Sequence, residues 1–159
     1  MTAGAPVLVR AARPGSRLQV GGQRLVEVAR SVDRTQAFCL DHEAAVVWLP
    51  ARRRDGTWLG PVHANASEAR FRRCVAAAEE LLRRCPTPRH PDGTVYAAAG
   101  REVFERTATE LRSTVLAIDA GAGDGYWADL AAEVAGGGWA EVGLDQARPR
   151  RPCPGPGSH

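Results

Sequence analysis

Residues 62–71, with the sequence VHANASEARF, join an extended segment to a helix. Ser67 is a favoured N-cap residue because its hydroxyl can accept a backbone N–H of the first turn, and Glu68 suits the positive end of the helix dipole. Apolar residues then recur at helical spacing, namely Phe71, Cys74, Val75, Ala78, Leu81, Leu82 and Cys85. Pro86 ends this pattern. The stretch therefore predicts a strand, a capped helix start and an amphipathic helix, in that order.

The residues upstream of this junction predict strands. The candidates in chain order are 17–20, 24–30, 36–40, 44–49 and 57–63. Gly21-Gly22 is a hairpin signal between the first two, and residues 41–43 (Asp-His-Glu) form a short polar turn between the next two. Pro61 cannot donate a backbone hydrogen bond, so the last candidate is expected at an edge or with a bulge.

The residues downstream predict helices. A second helix is expected over Arg101–Ile118, with an apolar stripe made by Phe104, Ala108, Leu111, Val115 and Ile118. Asp124 is a candidate cap for a third helix, which would bury Trp127, Leu130, Ala131 and Val134. Strands that precede helices indicate an α+β fold, with helices on one face of a largely antiparallel or mixed sheet.

The chain length of 159 residues suits one domain. We expect a flexible segment over 1–16, a single domain over 17–145, and a disordered Pro/Gly/Arg-rich tail over 146–159. Cys74 and Cys85 would lie roughly 16 Å apart on one helix, too far for a disulfide. Reduced cysteines, and the lack of an apolar leader or membrane-spanning run, predict a cytoplasmic protein with no membrane partner.

All 21 basic residues are arginine. The first 26 residues and the last 14 contain seven of them and no acid, so residues 27–145 carry 14 arginines against 18 acidic residues. This distribution predicts a mildly acidic folded body. A nucleic-acid-binding domain would show the opposite balance, whereas an acidic body suits a basic protein partner.

Several polar groups could support chemistry, but a simpler interpretation is favoured for each. Asp41-His42-Glu43 could polarise an imidazole, although turns favour such residues in any case. Cys39, His63 and His90 lack the close spacing of zinc ligands. Arg52-Arg53-Arg54 with Trp58 could bind phosphates and stack bases, but a solvated turn with a half-buried tryptophan is the simpler interpretation. The same loop could equally form the rim of a protein-binding surface. We expect no metal and no cofactor.

Residues 115–125 resemble the first motif of Rossmann-like methyltransferases, an apolar strand followed by a glycine-rich loop, here Asp119 to Gly125. Asp145 would then be the acid that ends the next strand. Only fourteen residues follow it, too few to complete such a sheet, and the apolar stripe of the second helix continues to Ile118 without a stop signal. A truncated or atypical methyltransferase that uses S-adenosylmethionine remains an alternative, which a strand at 114–118 would favour.

Three blocks together resemble the SUKH superfamily of immunity proteins, most closely its fourth group. The first is the strand pair over residues 23–40, which ends in Phe-Cys-Leu-Asp. The second is the junction at 62–82, similar to the V-N-x-S-x-x-x-F helix entry of that family. The third runs from Glu110-Leu111-Arg112 through Ile118-Asp119 to Tyr126-Trp127 and resembles its closing helices, with Ala120 in place of the usual proline.

The resemblance implies an α+β fold with a central mixed sheet and a cytoplasmic protein that binds and blocks a cognate toxin, often a nuclease or deaminase. The mechanism would be stoichiometric occlusion without catalysis. The family shares no active site, so Asn65, Ser67, Phe71 and Trp127 are interpreted as structural. We place the partner-binding surface at Asp41, Glu43, Asp55 and Trp58. A regulatory protein-binding domain of the same fold is a second alternative.

Overall fold

The computed structural model describes residues 7–84 and 101–137. Within them the chain forms the strands β1 Val9–Ala11, β2 Arg17–Val20, β3 Gln23–Ser31, β4 Ala37–Leu40, β5 Val46–Leu49 and β6 Val62–Asn65. The helices are α1 Glu68–Arg84, α2 Arg101–Ile118 and α3 Tyr126–Ala135, with a short 3-10 turn at Ala120–Ala122. The expectations for Cys85, His90, Asp145 and the tail from residue 146 lie outside the described residues.

The predicted α+β class is confirmed. The strands form one sheet in the order β1-β3-β4-β5-β6, and β2 also pairs with β3. Every pairing among the described strands is antiparallel, so the mixed sheet implied by the family resemblance is not found in this part of the chain. The three helices pack against one face of the sheet and share a hydrophobic core with it.

The sheet starts earlier than the expected domain boundary at residue 17. Strands β1 and β2 lie end to end along β3, with register pairs Arg10↔Arg30 and Leu18↔Leu25. Between them, the Ser16 carbonyl accepts the Glu27 N–H at 2.9 Å. The first strand therefore belongs to the folded domain.

Aromatic side chains fill the core between the sheet and the helices. The Phe38 ring lies 4.9 Å from that of Phe71 and 4.8 Å from that of Tyr126, measured between centroids. Tyr126 in turn lies 4.9 Å from Trp127 and 5.6 Å from Trp48. These contacts join β4, β5, α1 and α3, so residues distant in sequence stabilise one another by burial.

The opposite face of the sheet carries a second, smaller core. A β-bulge in β3 between Glu27 and Ala29 resets the alternation of side chains there. The members of this core are Val20, Leu25, Ala37, Cys39, Val47, Leu49 and Trp58. Because Trp58 comes from the segment between β5 and β6, that segment covers part of the face that the helices leave open.

Two local expectations need correction. Residues 57–63 do not form one strand: β6 begins only at Val62, and Trp58 makes an isolated bridge to Arg52. The break has a physical cause, since Gly60 turns the chain at φ 98° and Pro61 has no N–H for a ladder. Asp124 does not cap α3, because Gly125 is the N-cap residue and no side chain bonds there. The expected cap at Ser67 is present, with its Oγ accepting the Arg70 N–H at 3.2 Å.

Candidate functional site

A buried polar junction lies where β6, α1 and the end of α2 meet. It consists of Asn65, Ala66, Asp119 and Trp127. The Asn65 side chain donates to Asp119 Oδ2 at 3.0 Å and accepts the Trp127 indole N–H at 2.8 Å. The Ala66 backbone N–H also donates to Asp119 Oδ2, at 2.8 Å. Asn65 is 0% exposed and Asp119 2% exposed, so these bonds form away from water.

The Asp119 carboxylate organises this junction. Its second oxygen, Oδ1, accepts the Gly121 N–H at 3.3 Å and caps the 3-10 turn that follows α2. The Arg70 guanidinium lies 3.6 Å from the same oxygen, but this side chain is half exposed, so the pair contributes little. Burial raises the pKa of Asp119, but the hydrogen bonds from Ala66, Asn65 and Gly121 outweigh it, and the pKa lies below its ordinary value.

The lowered pKa of Asp119 makes the stability of the fold depend on pH. A carboxyl whose pKa is lower in the folded state stabilises the fold above its unfolded-state pKa, and this stabilisation is lost as the pH falls through the folded-state pKa. We expect the free energy of unfolding, measured in urea, to fall as the pH drops below about 4, the ordinary value for aspartate. The free energy of unfolding of the Asp119→Asn variant should fall less over the same pH range, because its side chain does not titrate there. Equal pH profiles for the two proteins would contradict this assignment.

The glycine cluster after Asp119 forms a turn against β6. Residues 114–118 are helical, whereas the methyltransferase alternative requires a strand there. Gly125 has φ 78°, and a Cβ on it would lie 2.7 Å from the His63 carbonyl oxygen. Glycine at 125 therefore allows the chain to pass close to β6 and start α3, which explains it without a bound cofactor.

The residues that the sequence proposes for partner binding have different roles in the structure. Asp41 holds the β4–β5 turn, because its Oδ1 accepts the N–H of Glu43 at 2.8 Å and of Ala45 at 3.0 Å. The Glu43 side chain is 79% exposed and free to meet a partner. Asp55 is exposed as well, but its Oδ1 accepts both the hydroxyl and the N–H of Thr57, and these bonds lower its pKa.

Trp58 is an interior residue. It is 6% exposed and belongs to the second core. The Arg52 guanidinium carbon lies 4.6 Å from the centroid of its ring, and that of Arg30 lies 5.8 Å away. The expected direct contact of Trp58 with a partner is therefore not available in this conformation, whereas Arg52 beside it is exposed.

Sequence interpretation missed a second buried acid. Glu27 is 7% exposed and binds Arg30 through both carboxylate oxygens, at 2.8 and 3.0 Å, while the Ser16 hydroxyl donates to it at 2.9 Å. A single acid within the apolar strand sequence LVEVA was the available signal. Cys39 lies directly opposite Glu27 on β4, and burial, together with the Glu27 charge, raises the pKa of its thiol to about 12. This thiol is thus a core residue and a poor nucleophile.

The described residues contain no group of three His, Cys, Asp or Glu side chains that could hold a metal ion. They also leave no buried side-chain nitrogen or oxygen without a hydrogen-bond partner. The hydrogen-bonding groups of the buried polar junction and of Glu27 therefore find their partners within the chain, as is usual for structural networks.

The expected acidic body needs correction. Strands β1, β2 and the start of β3 bring the segment before residue 27 into the folded domain, so its arginines count toward the folded part. The described residues contain 17 arginines and 15 acidic residues, a net charge of +2. With these arginines included, the charge of the folded part does not favour a basic partner.

The sequence matches no family model, and no similar curated protein or solved structure was found. The resemblance to immunity proteins therefore rests on the three blocks alone. None of the helices in the described part of the chain has the length and apolar character needed to cross a membrane.

Proposed function

We propose that this chain is an immunity protein of the SUKH type, which binds a cognate toxin in the cytoplasm and blocks it by stoichiometric occlusion, without catalysis. One observation carries the proposal. The second and third sequence blocks of the resemblance meet in the buried junction, where Asn65 of the second binds both Asp119 and Trp127 of the third. Phe38 of the first block packs on Phe71 of the second.

This convergence supports the proposal because the partners are far apart in sequence. Asn65 is separated by 54 residues from Asp119 and by 62 residues from Trp127. A chance likeness between short blocks does not require that they touch, whereas motifs that maintain a common scaffold must do so. A scaffold held by buried residues leaves its surface free to vary, which suits proteins that must each match a different toxin.

The glycine cluster favours this proposal over the methyltransferase alternative. Helix α2 runs through the position of the required strand, and Gly125 faces β6. Calorimetric titration with S-adenosylmethionine at millimolar concentration tests the point independently. A measurable binding heat would favour the enzyme.

The direct test is co-expression with the toxin domain encoded beside this gene. We expect the protein to restore growth and to form a one-to-one complex with the purified toxin domain in calorimetry. A folded protein that neither protects cells nor binds the toxin would refute the proposal. A gene neighbourhood without any toxin would favour the regulatory alternative instead.

The acidic turn can be tested within the same experiment. Glu43→Lys changes an exposed side chain, whereas a change at Asp41 would also break the turn that its carboxylate holds. Glu110→Lys on the exposed face of α2 is the matched control. If Glu43 contacts the toxin, only the first variant should lose affinity; equal affinities would remove Glu43 from the surface.

A further inference from the structure

Residues 51–59 form a small hairpin, which we call the arginine hairpin. The Arg53 N–H donates to the Thr57 carbonyl at 2.7 Å, the Leu59 N–H donates to the Ala51 carbonyl at 2.8 Å, and Arg52 pairs with Trp58. These bonds present Arg52, Arg53 and Arg54 together on an exposed turn. The turn is therefore an ordered element with three adjacent positive charges.

Arg52 is held in place before any partner arrives. Its guanidinium lies over the Trp58 ring at 4.6 Å, and Trp58 is itself fixed in the second core. Arg30, whose guanidinium carbon lies 5.8 Å from the centroid of the same ring, is paired with the buried Glu27. A cation positioned on an aromatic ring loses less side-chain freedom when it binds, so Arg52 is suited to be an anchor.

The arginines of the hairpin form no ion pair within the described part of the chain, although the exposed Asp55 lies in the same turn and its pKa is lowered by its hydrogen bonds with Thr57 and, to a smaller degree, by the Arg53 charge. No described carboxylate lies within ion-pair distance of Arg52, Arg53 or Arg54, whereas the helices pair their arginines locally, as in Arg72–Glu68, Arg83–Glu80 and Arg101–Glu105. Residues 7–65 contain nine arginines and five acids, while the described residues from 66 onward contain eight arginines and ten acids. Positive charge is thus concentrated on the sheet part of the molecule.

Exposed apolar side chains accompany these charges. Leu59 closes the hairpin and Val62 begins β6, and each is 37% exposed. Arginine is enriched at the energetic centres of protein interfaces, and Leu59 and Val62 add exposed apolar area at the end of the hairpin and the start of β6. An acidic protein surface with an apolar centre would complement both features.

We infer that the arginine hairpin, with Leu59 and Val62, is the docking surface for an acidic face of the partner protein. The inference rests on the proposed function, in which that partner is the toxin, and it replaces the basic partner expected from the sequence. A nucleic acid fits less well, because single-strand binding relies on exposed aromatic rings for stacking and the Trp58 ring is buried.

The test compares two triple charge reversals. Arg52→Glu/Arg53→Glu/Arg54→Glu alters the hairpin, and Arg73→Glu/Arg106→Glu/Arg112→Glu alters three exposed helix arginines, with the same change in net charge. Arg53→Glu/Arg54→Glu keeps the Arg52–Trp58 contact in case the first variant does not fold. We expect the hairpin variants to weaken toxin affinity by about 100-fold and the helix variant by no more than about threefold.

The outcomes separate the two proposals. If wild type binds the toxin and the hairpin variants bind equally well, or both triples weaken binding alike, the docking surface is wrong and the immunity function stands. If wild type does not bind the toxin, the proposed immunity function is refuted. The docking surface is then tested separately, by measuring the fluorescence anisotropy of a labelled peptide that contains glutamate and leucine, at low salt. Binding to wild type and to the helix variant but not to the hairpin variants supports it. Absent binding, or tighter binding of single-stranded DNA, overturns it.

Discussion

Replacement of Asp119 by alanine is expected to lower the free energy of unfolding by about 3–5 kcal/mol through the loss of its hydrogen bonds, a large share of the stability of a domain of this size. The carboxylate accepts hydrogen bonds from Asn65, Ala66 and Gly121, and it is 2% exposed. The variant leaves these donors without their acceptor. A buried donor without a partner loses its solvation and regains nothing, so each one costs about 1–3 kcal/mol.

Two further variants serve as controls for the predicted effect of Asp119→Ala. Glu110→Ala removes an exposed acid from the same helix region and should change the stability by less than about 0.5 kcal/mol. Asp119→Asn keeps the volume and one acceptor oxygen, so it should lie between wild type and the alanine variant. Urea unfolding followed by circular dichroism measures all four proteins. A loss below about 1 kcal/mol for Asp119→Ala would show that the junction does not hold the fold together.

Gly125→Ala should destabilise the protein by about 2–4 kcal/mol. Gly125 has φ 78° and ψ −133°, a conformation that side chains other than glycine rarely adopt. A Cβ there would also lie 2.7 Å from the His63 carbonyl oxygen and 3.1 Å from Val62 Cγ1. The added methyl would push the start of α3 away from β6, where Trp127 meets Asn65.

Gly121→Ala is the matched control within the same glycine cluster. Gly121 does not have a positive φ, and its Cβ would meet only Asp119 Oδ1, at an ordinary contact distance of 3.8 Å. The free energy of unfolding of the Gly121→Ala variant should therefore stay within about 0.5 kcal/mol of wild type. Thermal unfolding of the two variants measures the difference. Similar losses for both would contradict the assignment of Gly125 to a close contact with β6.

Elements governed by neighbouring residues could be predicted from the sequence. The sequence predicts the helix over Arg101–Ile118 with its observed bounds, because its apolar residues from Phe104 to Ile118 recur at helical spacing over about four turns. The cap at Ser67 followed from the same local chemistry. The prediction of one strand over residues 57–63 is wrong because Gly60 turns the chain at a positive φ and Pro61 has no N–H for a ladder.

The candidate sites depended on contacts that local patterns do not reveal. The sequence around Trp58 predicts a polar turn with a half-buried tryptophan that belongs to the partner-binding surface. In the structure Trp58 is 6% exposed and packs beside Arg52 and Arg30 in the second core. The prediction of an acidic folded body is wrong for a related reason. The arginines before residue 27 were treated as lying outside the folded domain, but β1 and β2 bring them into the sheet.

The order of strands and helices, the periodicity of the helices and the start of α1 follow from the sequence, because hydrophobic spacing and capping act between residues a few positions apart. Only the tertiary structure brings Asn65 to Asp119 and Trp127, buries Glu27 beside Cys39, and leaves Arg52, Arg53 and Arg54 unpaired on an ordered hairpin. Burial and the contacts of the buried junction are set by residues from distant segments, so they emerge only when the sheet and helices pack together.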